Sequence, residues 1–259
     1  MSVILDVASV SKRFGGLVAV DNATFTVDEH SITSLIGPNG AGKTTAFNII
    51  SGFLKPDGGK ISFRGRSIEG RQPHEIARLG MARTFQDPRV FPEMSVLDNV
   101  IVGVRQKGEQ PLWALLGGRE VDAQRRAARE RAERILASVG LGDRAGERAS
   151  GLSFGEQRFL SIARALVGDP DIILLDEPTV GLDRTSFRKL VDLMTRLVTE
   201  ENKTVLLIEH NMDVVMSISA KVVLMVQGGV VACGTSQEIR GHRSMVEAYL
   251  GKRHVAAGQ

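Results

Sequence analysis

Residues 37–45 read Gly37-Pro38-Asn39-Gly40-Ala41-Gly42-Lys43-Thr44-Thr45, a glycine, four residues, then Gly-Lys-Thr. Few stretches restrict a fold so strongly, because this pattern belongs between a buried strand and a helix. Ser31 to Ile36 is an apolar run short enough for that strand, and Lys43 to Ile50 reads as the helix. Glycines at 37, 40 and 42 let the backbone turn tightly, so that successive N–H groups point into one concavity suited to an anion. The positive end of the following helix faces the same point. Lys43 can then reach the β- and γ-phosphates of a nucleotide, the Thr44 hydroxyl can ligate Mg²⁺, and Thr45 supports the neighbouring phosphate.

A chain of 259 residues supports one large domain or two small ones without covalent staples. Its single cysteine, Cys233, has no intrachain partner and reads as a buried small apolar residue of a protein in a reducing compartment. The N-terminus shows no basic-then-apolar leader, and no apolar run reaches about eighteen residues, so a soluble cytoplasmic protein is expected. The 33 basic residues are balanced by 30 acidic ones, which gives no indication of a nucleic-acid partner.

In chain order, 2–10 and 17–27 read as strands of an antiparallel N-terminal sheet, with Lys12 to Gly16 as the turn between them. Phe14 lies in that turn, either stacking on a base or folding onto the sheet. A short strand from Lys60 to Arg64 and a small helix from His74 to Leu79 come next, with His74 as a surface residue. Arg83-Thr84-Phe85-Gln86 reads as a short buried strand ending in a polar residue. From Ser95 to about Leu141 the pattern is helical, with Ala128, Ala132, Ile135, Leu136 and Val139 on one face. The arginines between 119 and 134 are interleaved with glutamates and form a solvated face, and Leu112, Trp113, Leu115 and Leu116 make an apolar knot.

Ser153 opens a further helix that carries Phe159, Ile162, Ala163 and Leu166 inward. Ile172 to Leu175 is a continuous apolar strand closing on Asp176-Glu177, and Asp183 caps a helix whose stripe is Phe187, Leu190, Val191, Met194, Leu197 and Val198. Strand Thr204 to Ile208 leads to His210, a hairpin extends from Lys221 to Cys233, and an amphipathic tail runs from Ser236 to Leu250.

Strands alternating with helices imply a mainly parallel sheet, and ligands of such sheets sit beyond the carboxyl ends of the strands. The phosphate loop, Gln86, Asp176-Glu177 and His210 each come after an expected strand, so they are expected to converge on one nucleotide. Phosphoryl transfer to water needs charge neutralisation, an oriented metal and a positioned water. Asp176 suits the Mg²⁺ shell opposite Thr44, and a carboxylate there needs a cation to be buried. Glu177, one step further out, suits the proton acceptor for the attacking water. Gln86 can touch both Mg²⁺ and water, and His210 can donate to the γ-phosphate.

Leu152-Ser153-Phe154-Gly155-Glu156-Gln157 resembles the signature sequence of ABC ATPases, usually Leu-Ser-Gly-Gly-Gln. With the phosphate loop, the Gln86 loop, Gly181-Leu182-Asp183 as D-loop and His210 as switch histidine, the resemblance spans nearly the whole chain. It implies an α/β fold with a phosphate-loop, RecA-like core (1–86 and 166–235), an antiparallel N-terminal β subdomain, an inserted helical subdomain (87–165) and a helical tail (236–259). It further implies ATP and Mg²⁺ as ligands and head-to-tail pairing with a second cassette, in which Ser153 and Gly155 bind the γ-phosphate held by the other subunit. Glu156 and Asp183 are carried over to the nucleotide-binding set, and Phe14 becomes the adenine-stacking aromatic. Phe154 and Glu156 depart from the usual Gly and Gln.

Phe14-Gly15-Gly16-Leu17, Ala82 to Gln86, Phe91 to Val96 and the long helical insertion resemble the ATP-binding subunits of branched-chain amino acid importers. That implies separate membrane permease subunits docking at 87–99, with Trp113 and its leucines as an extension, and a solute-binding protein acting indirectly. Related cassettes serve urea, other amino acids or lipopolysaccharide export. An ATP-driven clamp for DNA or the ribosome would bring a long coiled coil or two fused cassettes, and this chain has neither.

Overall fold

The computed structural model describes residues 2–104, 119–243 and 245. In chain order the elements are β1 (Val3–Phe14), β2 (Leu17–Asp28), β3 (Ile32–Ile36), α1 (Lys43–Ile50), β4 (Gly58–Phe63), β5 (Arg66–Ser67), α2 (Pro73–Leu79) and β6 (Met81–Arg83). The helices α3 (Val96–Ile101), α4 (Arg119–Ser138) and α5 (Phe154–Leu166) come next. After them lie β7 (Ile172–Asp176), α6 (Arg184–Thr199), β8 (Thr204–Ile208), α7 (Met212–Ile218), β9 (Lys221–Val226), β10 (Gly229–Gly234) and α8 (Ser236–Arg240). The chain divides into two compact units, one of Met1–Arg83, Asp171–Thr179 and Val191–Gln259, the other of Thr84–Pro170 and Val180–Leu190.

The first unit holds two sheets. One is antiparallel, in the order β2-β1-β4-β5; the other runs β10-β9-β3-β8-β7-β6, with β9, β3, β8, β7 and β6 parallel. The central strands β3, β7 and β8 are buried at every position, which is why their sequences are continuous apolar runs and not alternating ones. Alternate residues of β3 and β9 feed two cores. Leu35, Val223 and Met225 join a cluster with Phe47 of α1 and Val7 and Phe25 of the antiparallel sheet, whereas Ile36, Val222 and Leu224 pack with Val215 of α7 and Ile239 of α8.

The second unit is helical. Ala132 and Leu136 of α4 are fully buried with Val96 and Val100 of α3 and Leu160 and Ala163 of α5, as the three-and-four spacing of the α4 face requires. Residues Val180–Leu190 belong to this unit, although the sequence places them in the core: Arg158 of α5 donates to the Val180 carbonyl, and Gly181 lies under the Phe154 ring.

Several expectations are corrected. The first hairpin is tighter than the sequence suggests, since β1 continues through Lys12 and Arg13 to Phe14, which pairs with Leu17, so Phe14 is a strand end and not a turn residue. The strand expected at 83–86 is Met81–Arg83; only those residues find partners on β7, Arg83 opposite Leu174, and Gln86 lies three residues beyond. The helical stretch from 95 is broken after Ile101. A helix that the sequence pattern does not reveal, α7, starts where Asn211 accepts from Asp213 and Val214 backbone N–H groups. Cys233 is exposed, because β10 is an edge strand whose alternate residues face out. Leu112, Trp113, Leu115 and Leu116, and most of the tail beyond α8, lie outside the described residues.

Leu206, fully buried in β8, has strands on both sides. Leu206→Ala should lower stability by about 2–5 kcal/mol, read as a lower urea midpoint at unchanged slope.

Candidate active site

The strands of the parallel sheet end level. Asp176 registers against Ile208, and Ile208 against Leu35, so the chain leaves β7, β8 and β3 side by side. These three exits carry Glu177, His210 and the phosphate loop.

The loop is shaped from the protein side. A Cβ on Gly37 would lie 2.1 Å from the Met225 carbonyl oxygen, and one on Gly42, at φ +94°, 2.2 Å from that of Ala19. These two glycines therefore let the loop lie against β9 and β2, whereas Gly40, at φ +80°, has open space where a side chain would project. Helix α1 begins with no side chain capping it and no acidic residue in its first turn, which leaves its positive end for an anion. Pro38 is half-buried, Asn39 and Gly40 are exposed, Ala41 is buried, Thr44 is exposed and Thr45 half-buried. The buried Lys43 amine donates to the carbonyls of Gly37 (2.8 Å) and Pro38 (3.0 Å). Burial pushes its pKa down, against the pull of the carboxylates of Glu177 and Asp176. This cradle fits a nucleotide's phosphates.

Asp176 is 4 % exposed. The cation that burial demands is present within the chain, with no sign of it in the local pattern: Arg83, at the end of β6, donates to Asp176 Oδ2 at 3.1 Å. The same guanidinium donates to Asn48 Oδ1 and Ser51 Oγ of the phosphate-loop helix and its end, and lies between the rings of Phe47 and Phe53. Burial drives the Asp176 pKa up while Arg83 opposes the shift. No three of His, Cys, Asp and Glu among the described residues form a metal cage. Mg²⁺ is commonly held by one or two carboxylates with substrate phosphates and waters, and Asp176 with the Thr44 hydroxyl is a donor set of that sparse kind.

Glu177 adopts φ +47°, a conformation that costs a non-glycine residue about 1–3 kcal/mol and is held by its N–H donating to the Ile208 carbonyl. Its Oε1 lies 2.7 Å from His210 Nε2, so the two side chains expected to serve the reaction touch. Phe14 is 47 % exposed, with the Lys12 amine 5.7 Å from its ring centre.

The remaining site candidates belong to the second unit. Gln86 is exposed and its backbone carbonyl accepts from Arg158. Ser153 caps α5, and Glu156 closes a capping box by accepting from the Ser153 N–H and Oγ, both at 2.8 Å. The same carboxylate takes Arg144, whose hydrogen bond holds its pKa down. Gly155 is close-packed: a Cβ would meet Ser186 Oγ at 3.2 Å. Asp183 caps α6 by accepting from Thr185 and Ser186. The arginines 83 and 158 are invisible to sequence reasoning because nothing local distinguishes a buried arginine from a surface one.

A phosphate loop, a buried carboxylate at a strand end and a glutamate against a histidine on neighbouring parallel strands define a phosphate-loop nucleotide-binding protein. The family model "ABC transporter" matches residues 20–180, and the chain belongs to that family as an ATP-binding cassette whose ATPase chemistry serves transport. It is 44% identical over 252 residues to the high-affinity branched-chain amino acid transport ATP-binding protein LivG of Salmonella typhimurium, covering 96% of this chain and 98% of that one. Among solved structures it resembles the ADP conformation of an ATP-binding cassette of an ABC transporter, with a TM-score of 0.83 at 31% identity, covering 97% of this chain and 100% of the other. It also resembles a cassette solved as a dimer in a post-hydrolysis state bound to ADP and Pi, with a TM-score of 0.75 at 26% identity over 90% of this chain and 98% of that one.

Removing Arg83 isolates a buried carboxylate. Arg83→Met should destabilise the protein by about 3–5 kcal/mol at neutral pH. A carboxyl whose folded pKa is raised holds its full stability contribution below its unfolded pKa and loses it as pH rises through the folded one. The deficit against the parent should therefore shrink as pH falls into the carboxylate range, as urea titrations at several pH values would show.

Proposed function

We propose that this chain binds and hydrolyses ATP to power uptake of branched-chain, hydrophobic amino acids through separate membrane permease subunits. The observation that carries the chemistry is the Glu177–His210 contact beside the phosphate loop. Near-complete coverage of a branched-chain amino acid transport subunit at 44% identity supports the solute.

In this reading the loop from Gly37 to Thr45 holds the phosphates, Lys43 exchanges its carbonyl partners for the β- and γ-phosphates, and Phe14 stacks on the adenine. Glu177 accepts the proton of the attacking water, and His210 orients that carboxylate and donates toward the γ-phosphate. Thr44, Asp176 and Gln86 are the residues assigned to Mg²⁺, which when bound neutralises charge developing on the transferred phosphoryl group. The nucleotide-binding core is the unit of Met1–Arg83, Asp171–Thr179 and Val191–Gln259, and the helical subdomain is the unit of Thr84–Pro170 and Val180–Leu190.

Ser153 and Gly155, with Glu156 and Asp183 behind them, form the surface offered to the nucleotide of a second cassette, and the dimeric relative supports such pairing. No helix among the described residues is long and apolar enough to cross a membrane. The chain is assigned to the inner face of the cell membrane, held there by permeases docking at 87–99, with an external solute-binding protein acting through them.

Glu177→Gln should lower kcat by about 10²–10⁴-fold while ATP binding persists. With ATP and Mg²⁺ that variant should also co-purify from solubilised membranes with polytopic permease subunits and a second cassette. An unchanged kcat would remove the role given to Glu177, and recovery of DNA-associated or ribosomal proteins without membrane proteins would remove the transport reading.

A further inference from the structure

Glu209, the residue directly after β8, is 1 % exposed. A carboxylate so buried must have its oxygens engaged, and here each oxygen serves a different loop. Oε1 accepts from the Thr179 backbone N–H at 3.3 Å and from the Thr179 hydroxyl, both on the segment just beyond Glu177. Oε2 accepts from the N–H groups of His210 (2.7 Å) and Asn211 (3.1 Å). Asn211 in turn caps α7, which fixes the far side of the His210 loop.

Ties between the exits of β7 and β8 among the described residues include Glu177 N–H to the Ile208 carbonyl, Glu177 to His210 through their side chains, and Thr179 to His210 and Asn211 through Glu209. The first two ties involve groups in the reacting pair or its backbone. Only the third is made by a side chain that the hydrolytic scheme does not use.

From this geometry we infer that Glu209 is a positioning residue that sets the orientation of His210 against Glu177 by locking the two strand-exit loops together. The inference rests on the roles proposed for Glu177 and His210. Its chemical basis is that both loops present only donors to Glu209. A carboxylate accepts on both sides, whereas the amide of a glutamine has one accepting oxygen and one donating NH₂. The isosteric change therefore sets N–H against N–H on one side and pushes one loop away.

The test uses the full chain and three variants, Glu209→Gln, Thr179→Val and Thr179→Ser, with His210→Gln to assign the His210 imidazole resonances. Without nucleotide, Glu209→Gln should shift those resonances. A misplacement of about 1 Å can cost about 100-fold in rate, so kcat should fall by up to that factor. ATP affinity, measured by equilibrium binding, should stay near the parent's, since the phosphate loop is untouched. Thr179→Val should act in the same direction and Thr179→Ser should restore parental values, because it keeps the hydroxyl bond; this pair carries the test if Glu209→Gln unfolds.

Unchanged His210 resonances, an unchanged kcat, or a fall in ATP affinity matching that in kcat would each overturn the inference. A parent without ATPase activity would instead defeat the hydrolytic reading, and the His210 resonances would still decide whether Glu209 governs that side chain.

Discussion

Burying a carboxylate at the end of a central strand forces the protein to supply a partner, and the site is built from those partners. Asp176 closes β7 at 4 % exposure and draws Arg83 from the end of β6; Arg83 extends the tie to Asn48 and Ser51 at the phosphate-loop helix. Glu209 comes directly after β8 at 1 % exposure and draws the donors of the β7 and β8 exit loops. Unpaired, either group would cost several kcal/mol, so each pairing is obligatory and each fixes a loop. The reactive-looking pair, Glu177 and His210, hangs between these two anchors.

The phosphate loop obeys a similar constraint of shape. Gly37 and Gly42 are required because carbonyls of Met225 and Ala19 occupy the space where a Cβ would stand, so neighbouring strands mould the loop before any ligand does. Lys43 is held by two carbonyls of that same loop, which places a buried amine beside Asp176 and Glu177.

In the helical unit the equivalent centre is Arg158, 1 % exposed, which donates to carbonyls of Phe85, Gln86 and Val180 and lies over the Phe154 ring. One side chain thus joins the segment carrying Gln86, the helix opened by Ser153 and the segment leading to Asp183. The departures at 154 and 156 acquire local reasons: Phe154 covers Gly181 and Arg158, and Glu156 completes the cap on Ser153 while pairing with Arg144.

Continuous apolar runs identified β3, β7 and β8, and the three-and-four spacing identified the buried faces of α4 and α6, because in both cases burial is written as a local pattern. The phosphate loop, Asp176, Glu177 and His210 were legible for the same reason, as residues placed at or just beyond the ends of such runs. The strand end at Arg83 and the outward face of Cys233 were not, since each depends on which neighbour a strand finds or lacks. The sequence by itself determined the element order, the phosphate loop and the candidate chemistry. The tertiary structure alone decided that Arg83 is the counter-charge of Asp176 and that Glu209 links two loops, because pairing between residues 93 and 30 positions apart is set by sheet order and register, which no local pattern encodes.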